Sequence, residues 1–201
     1  MGERVVFTGH IAGFGTGSGV RFVVGSWLTS PFGRFADVMV ETADGVRTLL
    51  APSREIADFV SATYTFDRTE LGTVTVDHAP DGFGVTGPGL EVAGTLGEPA
   101  PFDWLLRLVP APLSRAPLWL RAIDPVASRL VSGVHTAGSA GNGRREYYGV
   151  RRTRHIATLR GEFQGADLGG VAALDPPVRF GFSSAPPTPQ MVSVTTTIDL
   201  P

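Results

Sequence analysis

Apolar and polar positions along this chain recur mostly with a period of two, the spacing of strands rather than of helices. The clearest case is the C-terminal run, where Val192, Val194, Thr196 and Ile198 share one face of a strand over 191–199 and Ser193, Thr195 and Thr197 the other. Compact apolar runs predict further strands at Val5–Phe7, Arg21–Trp27, Phe35–Glu41 and Val46–Leu50, with short strands between glycine and proline breaks from 71 to 96. Others are predicted at 146–151, 156–163 and 178–182. Thr29–Gly33 and Ala43-Asp44-Gly45 carry turn chemistry. A period near 3.6 takes over only where Ile56, Phe59, Val60 and Tyr64 recur on one face, behind Ser53 as N-cap. Two more short helices are predicted at 103–109 and 124–131, the second capped by Asp124, with Pro125 in its first turn and Gly133 beyond its end. The sum is an α+β chain, mainly antiparallel β, its sheet curled into a barrel or sandwich with two or three short helices against it. One domain, 1–201, is expected.

The stretch Thr8–Gly15 spells TGxxxGxG and resembles the phosphate-binding turn of the short-chain dehydrogenases. That turn needs a helix after it, to place a pyrophosphate on the helix N-terminus. Here Gly17 and Gly19 lead into Val20–Val24, a strand sequence. The family's catalytic tyrosine partners a lysine four positions on, whereas Tyr147 is followed at that spacing by Arg151. The stretch is read instead as a strand, a loop and a returning strand.

Composition narrows the chemistry further. All 17 basic residues are arginine and there is no cysteine. The absence of lysine and the single asparagine, Asn142, fit a GC-rich bacterial genome. Without lysine there is no Schiff base to a substrate or to pyridoxal phosphate, and no phosphate-loop lysine; arginine donates hydrogen bonds but is no nucleophile. The absence of cysteine removes disulfides and thiolates. His10, His78, His135 and His155 show neither HxH nor HExxH spacing, so no metal and no cofactor are expected. A net charge of −2 gives no pull toward nucleic acid. No secretory signal and no spanning segment is read, which predicts a cytoplasmic protein. Ala137–Gly141 departs from a nucleophile elbow by running into the loop Asn142–Arg145 instead of a helix.

Three stretches carry candidate chemistry. In Ser30–Glu41 a strand places Phe35, Asp37, Met39 and Glu41 on one face, a mixed surface suited to a cavity wall with a carboxyl of raised pKa. This SPFG turn, the acidic strand, the next strand and the helix at 56–64 together resemble the acetoacetate-decarboxylase-like β-barrel group over residues 20–66. The resemblance implies a cone-shaped barrel around a small-molecule pocket, with Asp37 or Glu41 near the family's pocket carboxylate. It also implies a lysine Schiff base, which this chain cannot form. The second stretch, 144–160, holds six arginines against one acid, Glu146. Arg144, Arg145 and Tyr147 there could hold a carboxylate or phosphate by forked hydrogen bonds and stacking. The third, 101–123, is apolar between turns and reads as a lid, a subunit contact or core.

Three functions fit. The first is a small-molecule-binding barrel for a partly apolar anion, held by Arg144, Arg145 and Tyr147 over Phe35 and Met39. The second is a lysine-independent lyase or decarboxylase-like enzyme on an oxo-acid, with Asp37 or Glu41 as acid or base. The third is an interaction protein forming a homodimer through 102–120. Whether the chain is catalytic stays open at this point.

Overall fold

The computed structural model of the chain describes residues 3–110, 113, 116–130, 136–139, 141–181 and 185–201. One mainly antiparallel sheet dominates, curled into a half-barrel with three short helices against it. Its strands are β1 (Arg4–Thr16), β2 (Arg21–Thr29), β3 (Phe35–Glu41), β4 (Arg47–Ala51), β5 (Arg68–Leu71), β6 (Thr75–Ala79), β7 (Gly82–Gly87) and β8 (Leu90–Pro99). The C-terminal half adds β9 (Ala137–Ser139), β10 (Arg145–Phe163), β11 (Ala166–Asp167), β12 (Val171–Ala172) and β13 (Gln190–Asp199). The main path runs β5-β4-β3-β2-β1-β13-β10-β8-β7-β6. Every pairing is antiparallel except β4 with β5. The path begins and ends on short strands, β5 and β6, most of whose residues are exposed.

The two faces of the central strands have different fates. Ala12, Phe14, Phe22, Val24, Val38 and Val40 pack with Phe83, Val85, Val92, Leu159 and Phe163 into a solid core against β7, β8 and the far half of β10. Residues of opposite parity, among them Phe7, Val23, Trp27, Phe35, Met39 and Val194, line a cavity. This division is the alternation read from the sequence, now given two different neighbours.

Four predicted elements come out differently. The glycine-rich stretch belongs to β1 itself, a single strand of 13 residues with its turn only after Thr16. Gly9 serves a bulge where the β1–β2 register shifts, and a Cβ there would overlap the Ser26 carbonyl oxygen. No helix follows, so no phosphate-binding turn exists here. β10 is one strand of 19 residues where two were expected. Register shifts around Val150–Arg152 and Arg154–Thr158 let it bend without ending. The helix expected at 124–131 starts earlier, as α3 (Pro117–Leu130), with proline in the first position where its missing N–H costs nothing. Asp124 is therefore no cap; its Oδ1 accepts hydrogen bonds from the Thr136 and Ala137 N–H groups and pins the helix to β9. Val131 and Gly133 lie outside the described residues. Residues 178–181 are irregular rather than a strand, with Val178 and Phe180 buried against Leu174, and 182 lies outside the described residues.

The helix at the predicted cap is α1 (Arg54–Ser61), where the Ser53 hydroxyl accepts from the Ile56 N–H at 3.3 Å. The other helix, α2 (Asp103–Leu108), is tied to β10 through Asp103: its Oδ1 accepts from the Thr153 N–H at 2.8 Å and its Oδ2 from Arg107 Nε at 2.8 Å. Both helices are thus fixed over one face of the sheet, the face that carries the cavity.

Candidate functional site

The cavity measures about 470 Å³, room for a small organic molecule. Its floor is β1, β2, β3, β13 and the first half of β10. Alternation along β10 brings Glu146, Tyr148 and Val150 to it, and the bulge that follows resets the parity so that Thr153 faces it too. Phe59, Val60, Thr63 and Tyr64 close one side from α1 and the residues after it. Phe102, Leu105, Leu106, Val109 and Ile123 close another, so these residues of the apolar stretch cover the cavity. Its outer side keeps Trp104, Leu108 and Leu118 exposed at 60%, 69% and 79%.

Two carboxyl groups face this apolar space. Asp37 is buried, and its Oδ1 accepts a hydrogen bond from Trp27 Nε1 at 3.0 Å. Burial pushes its pKa up to about 7, and the indole N–H only partly offsets this. Gly25, paired with Asp37 across β2 and β3, leaves the room for that bond: a Cβ there would lie 2.5 Å from Asp37 Oδ1 and 2.8 Å from Trp27 Nε1. Phe7 packs on Trp27 at 5.4 Å and on Phe59 at 5.5 Å between ring centres, with Phe35 at 6.4 Å, so aromatic rings surround the carboxyl's end of the cavity.

Glu146 is held differently. Its Oε2 accepts from Tyr64 Oη at 2.8 Å and from Tyr148 Oη at 2.9 Å, and the two phenol oxygens are 2.8 Å apart. Burial raises its pKa to about 6 against these two hydrogen bonds and the nearby charge of Arg144. Burial also holds both phenols well above their ordinary value. Thr196, in register with Tyr148 on β13, is also a lining residue, and its buried hydroxyl has no hydrogen-bond partner among the described residues. Tyr64→Phe is expected to lift the Glu146 pKa above about 6 and to cost about 2 kcal/mol at pH 8, a charged hydrogen bond being lost. Carboxyl-carbon NMR titration and thermal melts would check both effects.

The residues expected from sequence are split by the structure. Asp37, Phe35 and Met39 line the cavity. Glu41 does not: it is fully buried beyond it, bonded to Arg179 Nε at 2.8 Å, the Arg179 N–H at 2.7 Å and Arg21 Nη2 at 3.2 Å. Arg144, Arg145 and Tyr147 do not line it either. Arg144 lies over the Phe59 ring and donates to the Phe59 carbonyl and Thr63 Oγ1. Arg145 is exposed, and Tyr147 is buried with the opposite parity to Glu146 and Tyr148. Parity on β10 sends Glu146 and Tyr148 toward the cavity in place of Arg145 and Tyr147. No cationic side chain lines the cavity among the described residues.

Elsewhere, His10 packs against His78 with tilted rings whose centres are 4.7 Å apart, and Ser26 Oγ is 3.0 Å from His78 Nε2. Among the described residues no group of three or more His, Asp or Glu is placed to hold a metal ion; His135 lies outside them. Ser139 of the elbow-like stretch is exposed at the end of β9 and leads to a 3₁₀ turn, Gly141–Gly143, with Ala140 outside the described residues. No helix among the described residues is long and apolar enough to cross a membrane.

The fold has a counterpart. It resembles the crystal structure of acetoacetate decarboxylase from Legionella pneumophila, over 99% of this chain and 86% of that one, with a TM-score of 0.46 and 11% identity. The resemblance is faint. No protein-family description matches the sequence, and no curated protein does.

Glu146, Tyr148, Tyr64, Trp27 and Gly25 line the cavity and were not singled out for it from the sequence. Strict alternation from Arg145 would have paired Glu146 with Tyr148 and Val150 on one face, and a glycine inside the apolar strand Arg21–Thr29 signals a close approach.

Proposed function

We propose that the chain binds a small, mainly apolar molecule in this cavity, gripping its one polar group through Asp37 or through the Glu146–Tyr64–Tyr148 cluster. What supports the reading is an apolar hollow of about 470 Å³ whose described lining includes two carboxyls, those of Asp37 and Glu146, and two phenols, those of Tyr64 and Tyr148. Buried polar groups kept in an apolar wall are costly unless something pairs with them. An anionic ligand fits less well than the sequence suggested, because the described lining offers it acids and no cation.

Val192 lies on β13 in the cavity floor. Val192→Trp is expected to fill part of the hollow and cut binding of the uncharged fluorophore N-phenyl-1-naphthylamine at least tenfold. Fluorescence titration against the wild-type chain measures this, and equal affinity for the two proteins would reject the cavity as the binding site.

A second reading, a lysine-independent acid–base enzyme, draws on one observation. Asp37 and Glu146 face the same cavity with pKa values of about 7 and about 6, so that a carboxylic acid and a carboxylate coexist near neutral pH. In that reading the pair is Asp37 with Glu146, Glu41 being held by its two arginines. An oxo-acid substrate would need a cation for its charge, which the described lining does not supply; proton transfer on an uncharged substrate fits better.

A further inference from the structure

We propose that the ligand of this cavity is an organic monocation, an amine or quaternary ammonium on an apolar body, seated against Asp37 among Phe7, Trp27, Phe35 and Phe59. The proposal rests on the cavity being a binding site and adds the class of ligand.

Four acids are buried among the described residues: Asp37, Glu41, Asp103 and Glu146. Glu41 is paired with Arg21 and Arg179, and Asp103 with Arg107. Glu146 accepts from two tyrosine hydroxyls and feels the charge of Arg144. Asp37 differs from all three, since a single indole N–H is its side-chain hydrogen bond and no cation is paired with it. A buried carboxylate short of a counter-charge, opening on a cavity, is a place for a cation to arrive from outside. The surroundings suit an organic ion and not a bare one. Aromatic faces attract ammonium groups through the ring quadrupole, most strongly for tryptophan. The apolar remainder of the lining would take the body of the ligand, whereas a metal ion would find no second or third ligand beside Asp37 among the described residues. Gly25 holds the space open at this point, as any side chain there would press on both Asp37 and Trp27.

The groups that could compete with Asp37 for charge are few. From β2 it faces Trp27 and Gly25; its neighbours along β3 are Phe35 and Met39; α1 brings Phe59 and Val60. Glu146, Tyr64 and Tyr148 are the other titratable groups in the described lining.

The test is isothermal titration of the full chain at pH 8 with three matched probes: 3-phenylpropyltrimethylammonium, its uncharged tert-butyl isostere and 4-phenylbutanoate. The cation is expected to bind at least ten times tighter than the isostere, and the anion weakest. Asp37→Asn is expected to cut the cation's affinity at least tenfold and to bring cation and isostere to equal affinity. At pH 6 the cation is expected to displace close to one proton, seen as a binding heat that varies with the buffer, because Asp37 must ionise to meet it. An isostere that binds as tightly as the cation, or a cation preference that survives Asp37→Asn, would overturn the ligand class and leave the cavity reading standing. Failure of all three probes to bind would overturn both.

Discussion

Asp37→Asn is expected to melt above the wild-type chain at pH 8 and together with it near pH 4. Asp37 has a folded pKa of about 7, above its ordinary 3.8. Its carboxyl therefore stabilises the fold most below about pH 4, where both states are protonated, and loses that contribution as pH rises toward 7. Three pKa units correspond to a loss on the order of 4 kcal/mol above pH 7, or on the order of 10 °C for a chain of this size. Asparagine keeps the Oδ1 acceptor for Trp27 and has no charge to bury. Glu146 acts in the same direction between its ordinary value and about 6, but it is present in both proteins and cancels. Differential scanning calorimetry from pH 4 to 8 measures the difference. A variant less stable than wild type at pH 8 would mean that Asp37 is charged at little cost, against the site described above.

The second large effect lies where the sequence suggested chemistry and the structure has an ion cluster. Glu41→Leu is expected to cost about 3–5 kcal/mol, since it leaves the buried Arg21 guanidinium without its carboxylate. Arg21 would keep the Pro176 and Thr42 carbonyls, but these carry no charge. Arg179 is 67% exposed at its side chain and can turn to water. Arg21→Met combined with Glu41→Leu is expected to recover most of the loss, because apolar replacement of both buried partners removes the stranded charge. Urea unfolding of the two variants checks this. A double variant as unstable as Glu41→Leu alone would show that the Arg179–Glu41 contact, rather than the buried pair, holds this end of the sheet.

These two acids show how far the sequence could be read. Alternation over Phe35–Glu41 put Asp37 and Glu41 on the same face, and they are on it. What separates them is distance along the chain: Arg179, which claims Glu41, lies 138 positions away. No local pattern reports that. The central strands β1, β2 and β3 were legible because one side of each meets a solid core, and the helix at 54–61 because its cap and apolar stripe are local. In β10 the pattern was legible and its parity was not: Glu146 and Tyr147 are neighbours, and only pairing with β13 decides which faces the hollow. The arginines there drew attention by charge, yet Arg145, Arg151 and Arg152 are exposed. The break they made in the apolar pattern also hid the continuity of a bent strand.

Among the described residues the half-barrel leaves two margins unpaired along its main path, and their make-up bears on how copies of this protein meet. β5 reads Arg-Thr-Glu-Leu and β6 reads Thr-Val-Asp-His-Ala, each too short and too charged to template a neighbour's backbone. Edge-to-edge growth into filaments is disfavoured at both ends of the sheet. Crowded solutions should therefore stay free of fibrils even while the molecule keeps an unclosed seam.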